Sequence, residues 1–147
     1  MGNIGNIAFS EGNFLDALNS YKKSQYLFKD VGDQEHIGIA KLQMAQTLIA
    51  SEANIEDAPA LLNDAHLIFI EIGWLEGEAR IAEQYARYFE HKAMKYHSDG
   101  IKYIEQALSC ANQGFQLFKR IGLERAAGSV EELKHHIVTF LKSNYQI

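Results

Sequence analysis

Apolar residues recur along the chain at the spacing of three and four residues that gives a helix one core-facing side. Residues 12–32 show the pattern, with Leu18, Tyr21 and Leu27 separated by polar and charged positions. No stretch has the alternation and the Val, Ile and Thr content of a strand, and the chain contains one proline. The sequence therefore predicts an all-α protein.

Glycines mark the predicted ends of several of these helices. Gly32, Gly73 and Gly122 each follow an apolar stretch, and glycine is the residue that most readily adopts the left-handed conformation that ends a helix. These marks predict seven helices, which span about residues 2–11, 14–31, 35–52, 56–72, 76–97, 101–121 and 124–143.

One six-residue pattern occurs three times, as LFKDVG at 27–32, IFIEIG at 68–73 and LFKRIG at 117–122. A small residue stands ten positions before each copy, and a second small residue follows seven positions later. Small residues at fixed helical offsets allow neighbouring helices to approach closely, so the pattern predicts a repeated packing unit. The small residues are Ala17, Ala58 and Ala107, followed by Ser24, Ala65 and Gly114.

The segment 5–24 resembles the helix-turn-helix core of the tetratricopeptide repeat (TPR) family, in its long variant of about 40 residues. The resemblance implies an all-α, right-handed superhelix of antiparallel helix pairs, an α-solenoid. It implies one domain over residues 1–147, with units of about 1–32, 33–73 and 74–122 and a capping helix at 123–143. The matching positions are Gly5, Ala8, the turn Gly12–Phe14, Ala17, Tyr21 and Ser24.

The net charge is −5, and lysine and arginine are interspersed with acidic residues. A phosphate-binding face needs clustered positive charge, so no nucleic-acid partner is expected. No apolar run approaches the ~18 to 20 residues that cross a bilayer, so we expect no membrane partner and a soluble, cytoplasmic protein. The single cysteine, Cys110, lies in an apolar helical pattern and is expected to be a buried or half-buried structural thiol.

The sequence offers no candidate catalytic residue and no cofactor motif. The six histidines lack the spacing of three or four residues that places two ligands on one helix face, so no metal site is expected. No nucleophile or phosphate-loop motif is present, and paired carboxylates such as Glu131 and Glu132 fall on charged helical faces. Aromatic residues between 85 and 103 are interpreted as core or groove wall. We therefore expect a protein that is not an enzyme.

In the TPR resemblance, the first helix of each pair lines a concave face that commonly binds a protein or peptide. Asn6 stands where some members of that family carry an asparagine that binds the C-terminal carboxylate of a peptide. The other side chains needed for this carboxylate clamp are replaced by Thr47, Gln84 and Tyr85. A receptor for chaperone tails is therefore not expected. The implied partner-binding residues are Asn6, Phe9, Ser10, Gln43, Thr47, Gln84, Tyr88, His91 and Lys92.

Two other functions stay open. The chain could be the ligand- or peptide-sensing arm of a larger bacterial signalling or transcription regulator, or a subunit of an enzyme whose chemistry lies elsewhere. The N-terminal edge, with Ile4, Ile7 and Phe9 on a short helix, is also expected to favour self-association into a homo-oligomer.

Overall fold

The computed structural model describes the backbone of residues 2–145 and the side chains of residues 5–96 and 98–145. Within this part of the chain there are seven α-helices and no strand, which confirms the all-α class. The chain divides into two compact units, Met1–Trp74 and Leu75–Ile147.

The first unit is built from helices that pack on their neighbours in sequence: α1 on α2, α2 on α3 and α3 on α4. Because the connections are short, successive helices form antiparallel hairpins. The helices are α1 (Gly2–Ser10), α2 (Phe14–Val31), α3 (Gln34–Ser51) and α4 (Ala58–Ile72), and a 3-10 turn at Ile55–Asp57 precedes α4.

The second unit has three longer helices, and α6 packs on both of the others. The side of α7 that carries Ala127, Val130, Leu133 and Ile137 is buried. A capping role for α7 stays a prediction. The helices are α5 (Leu75–Lys95), α6 (Gly100–Arg120) and α7 (Glu124–Tyr145), with a 3-10 turn at His97–Asp99.

The predicted helix-ending glycines have the expected left-handed backbone. Gly32, Gly73 and Gly122 have φ angles of 73°, 71° and 80°. After α2, the N–H of Gly32 donates to the carbonyl of Lys29 and the N–H of Asp33 to that of Phe28. These bonds satisfy carbonyl groups that the end of a helix would otherwise leave without partners.

The small residues of the repeated pattern lie at helix contacts. Ala17, Ala58 and Ala107 are fully buried, and a Cβ atom on Gly114 would lie 3.3 Å from the carbonyl oxygen of Ala79, so α5 and α6 approach closely there. One prediction was wrong in detail: Leu27, assigned to the core-facing stripe of α2, is 47% exposed. It is displaced around the helix from the buried Tyr21 and Ser24, and so lies outside the packed side.

Among residues 2–145, no helix combines the length and the apolar character that a membrane span requires.

Candidate functional site

In the first unit, the side chain of Asn6 on α1 connects to two other helices. The hydroxyl of Tyr21 on α2 donates to Asn6 Oδ1 over 2.6 Å. The amide Nε2 of Gln43 on α3 donates to the same oxygen over 3.3 Å. Asn6 is exposed whereas Tyr21 is buried, so these bonds fix a surface amide to the hydrophobic core.

The position of Tyr21 depends on the absence of a side chain at Gly5. A Cβ atom there would lie 2.6 Å from Cε1 of the tyrosine ring, which is closer than van der Waals contact permits. The ring packs in a cluster with Ala8, Ala17 and Met44. Burial raises the pKa of Tyr21, so its hydroxyl remains protonated and able to donate to Asn6 at neutral pH.

The other polar atoms of the Asn6 and Gln43 amides are one hydrogen-bond donor, Nδ2, and one acceptor, Oε1. No described residue accepts a hydrogen bond from Asn6 Nδ2 or donates one to Gln43 Oε1. One donor and one acceptor are therefore available on neighbouring helices. A peptide unit carries one C=O and one N–H group, which are the chemical complements of this donor and this acceptor.

The other predicted residues of the first unit differ in accessibility. Phe9 is half-buried and its ring meets Phe14 edge to face at 5.5 Å. Ser10 is exposed, and its hydroxyl donates to the backbone carbonyl of Asn6. Thr47 is 1% exposed, and its hydroxyl donates to the carbonyl of Gln43 over 2.7 Å. Phe9 and Ser10 thus remain accessible, whereas Thr47 supports α3 from within.

In the second unit, the predicted residues on α5 are mainly enclosed. Gln84 and Tyr88 are buried, whereas His91 and Lys92 are half-buried. Gln84 is only 5% exposed, and its Oε1 atom accepts no hydrogen bond from a described residue.

Lys92 lies among three tyrosine rings. Its Nζ atom is 4.5 Å from the ring centre of Tyr96, 5.4 Å from that of Tyr103 and 6.0 Å from that of Tyr88. At these distances an ammonium group is attracted to the negative face of an aromatic ring. Phe89 extends the cluster by stacking on Tyr103 at 6.4 Å.

The sequence pattern predicts a core or groove-wall position for these aromatic residues, and the cation among them was not predicted. Tyr88 and Lys92 are four residues apart on α5, and Tyr96 follows four residues later, one position beyond the end of the helix. This spacing is the signal that could have found the lysine. Tyr103 lies on α6, and the sequence gives no indication of which ring on that helix reaches the lysine.

The described side chains contain no group of three or more His, Cys, Asp or Glu residues that could hold a metal ion. The side chain of His97, one of the six histidines, lies outside the described residues. Cys110 is half-buried, as predicted, and this burial raises the pKa of its thiol.

No protein-family model matches the chain, and no curated protein shows a significant match to it. The resemblance to the TPR family therefore depends on the residue pattern of segment 5–24 and its repeats.

Proposed function

We propose that the chain is a non-catalytic scaffold that binds a protein or peptide through a TPR-like superhelix. In this proposal the first helix of each pair lines the concave face. The support comes from the repeated pattern of helix-ending glycines and buried small residues, and from the close approach of Tyr21 to Gly5, two of the positions that carry the TPR resemblance.

The observation that carries the binding proposal is the amide pair of Asn6 and Gln43. Asn6 Oδ1 accepts hydrogen bonds from Tyr21 and Gln43, which holds both amide side chains in place. Little side-chain entropy is therefore lost when a partner binds. The donor of Asn6 and the acceptor of Gln43 suit the backbone of an extended segment. Specificity would then come from side chains that pack beside Phe9 and Ser10.

The residues on α5 have different roles in this proposal. His91 and Lys92 are half-buried and would contact the partner, whereas Gln84 and Tyr88 are buried and would hold α5 in place. Thr47 would support Gln43 in the same way, through its bond to the backbone. The alternative function, a sensing arm of a regulator, would use the same binding residues and differ in the effector attached to them.

The test exchanges the donor on Asn6 for an acceptor. Asn6→Asp has almost the same shape and keeps an oxygen for Tyr21 and Gln43, but it loses the Nδ2 donor. Peptides selected from a displayed library against the wild-type chain should bind this variant about tenfold more weakly or worse, because a peptide carbonyl would face a carboxylate.

Asn63→Asp is the matched control, because Asn63 is exposed on α4 and the substitution adds the same charge. It should leave peptide affinity unchanged. The proposal fails if the library yields no binding peptide, or if the selected peptides bind the Asn6→Asp variant as tightly as the control.

A further inference from the structure

A groove of about 470 Å³ runs along α1 and α2 in the first unit. Ile7 and Ala8 form its apolar part, and Asn19 lies beside them. Ile7 is 59% exposed, which leaves most of a large apolar side chain in contact with water. This groove is separate from Asn6 and Gln43, which are absent from its lining.

The two ends of the groove carry opposite charge. Glu11 and Asp16 line it near the turn between α1 and α2, and Lys23 lines it two helical turns further along α2. Asn13 donates to Asp16 Oδ2 over 2.6 Å, which fixes the carboxylate at that end. Asp16 and Lys23 are seven residues apart, so they lie on the same side of α2 with an axial separation of about 10 Å.

We propose that this groove binds the same groove of a second copy of the chain, with the two α2 helices antiparallel about a two-fold axis near Asn19. The axis places Asp16 of each copy opposite Lys23 of the other. A parallel arrangement would bring like charges together and is therefore disfavoured. In the antiparallel arrangement, the charges of one copy face opposite charges of the other, as a symmetric interface requires.

The apolar and charged groups contribute differently. Ion pairs that remain exposed to solvent contribute little affinity, so Asp16 and Lys23 set the orientation of the two copies. The affinity comes mainly from burial of the exposed Ile7 side chain of each copy. This interface is independent of peptide binding by Asn6, so either proposal can fail without the other.

The first test measures the mass of the 147-residue chain by sedimentation equilibrium from low micromolar to near-millimolar concentration. A dimer should form with rising concentration. Ile7→Ser should weaken it about tenfold or more, because the loss of one large apolar contact from each copy corresponds to at least that factor. Leu15→Ser is the matched control, since Leu15 is 69% exposed on α2 and does not line the groove.

The second test exchanges charges. Asp16→Lys and Lys23→Asp should each weaken self-association, because each places like charges opposite one another. A mixture of the two variants should dimerise as well as the wild type, because the mixed pair restores both opposite-charge contacts. Lys22→Asp, a neighbouring exposed position outside the groove lining, should have little effect.

Circular dichroism of each variant reports its helix content. A loss of association caused by a disturbed α2 can therefore be distinguished from one caused by charge repulsion. A chain that stays monomeric across the whole concentration range overturns the proposal. So does a dimer whose affinity is unchanged by Ile7→Ser, or one for which the mixture of charge variants associates no better than either variant alone.

Discussion

The hydroxyl of Tyr21 donates a 2.6 Å hydrogen bond to the side-chain oxygen of Asn6. The tyrosine is buried in the core of the first unit, and the asparagine is exposed. This bond therefore couples the packing of α1 and α2 to the orientation of the amide that we propose binds a partner.

Removal of the Tyr21 hydroxyl should affect stability and binding together. Tyr21→Phe keeps the ring against Gly5 but loses the bond to Asn6, so the free energy of unfolding should fall by about 1 kcal/mol. Urea denaturation measures this change. Peptide affinity should also fall, because the Asn6 amide is then held by Gln43 alone. Unchanged affinity in a folded Tyr21→Phe variant would show that the bond does not orient the site.

Two glycines in helices should respond in opposite ways to the same substitution. Gly5→Ala places a Cβ atom 2.6 Å from the Tyr21 ring, and the overpacking should cost about 1–3 kcal/mol. Gly128 is exposed on α7, and a Cβ atom there would meet no other atom within 4 Å, so Gly128→Ala should stabilise the protein by up to about 1 kcal/mol. Thermal melting of both variants compares them directly. Equal effects would contradict the close packing at Gly5.

The helices and their ends could be predicted from sequence because both depend on local information. Apolar spacing marks the packed side, and Gly32 and Gly73 end helices through their own backbone preference. The bond between Asn6 and Gln43 joins residues 37 positions apart, and it depends on how α1 and α3 are rotated about their axes. Periodicity does not specify that rotation to the accuracy of a hydrogen bond, as the exposure of Leu27 also shows.

The aromatic cluster around Lys92 should contribute measurably to stability through Tyr96, the ring nearest to the ammonium group. Tyr96→Leu removes its attraction to the ammonium groups of Lys92 at 4.5 Å and Lys95 at 5.5 Å. The expected loss is about 0.5–1 kcal/mol. Tyr26→Leu is the control, because Tyr26 is exposed on α2 and makes no described ring contact with a cation. Identical melting temperatures for the two variants would show that the cluster adds no stability.

The thiol of Cys110 should react slowly with iodoacetamide at neutral pH. Burial raises its pKa, so less of the nucleophilic thiolate is present than in an unfolded chain. The rate of alkylation should rise with pH, and the midpoint of this rise should lie at a higher pH for native Cys110 than for a thiol in an unfolded chain. The thiol has a lower pKa in the unfolded chain than in the folded protein. As the pH rises past that lower pKa, the unfolded chain loses its thiol proton first, so the free energy of unfolding decreases. Alkylation as fast in the native protein as in denaturant would contradict this assignment.

Peptide contact with Asn6 and Gln43 can be observed atom by atom by NMR. The side-chain amide protons of both residues can be followed in a ¹⁵N-labelled chain while a library-selected peptide is added. We expect the Asn6 Nδ2 protons to shift in proportion to the bound fraction, with the Asn63 amide as an unchanged reference. Saturation of the protein with peptide while the Asn6 and Gln43 resonances stay in place would contradict the claim.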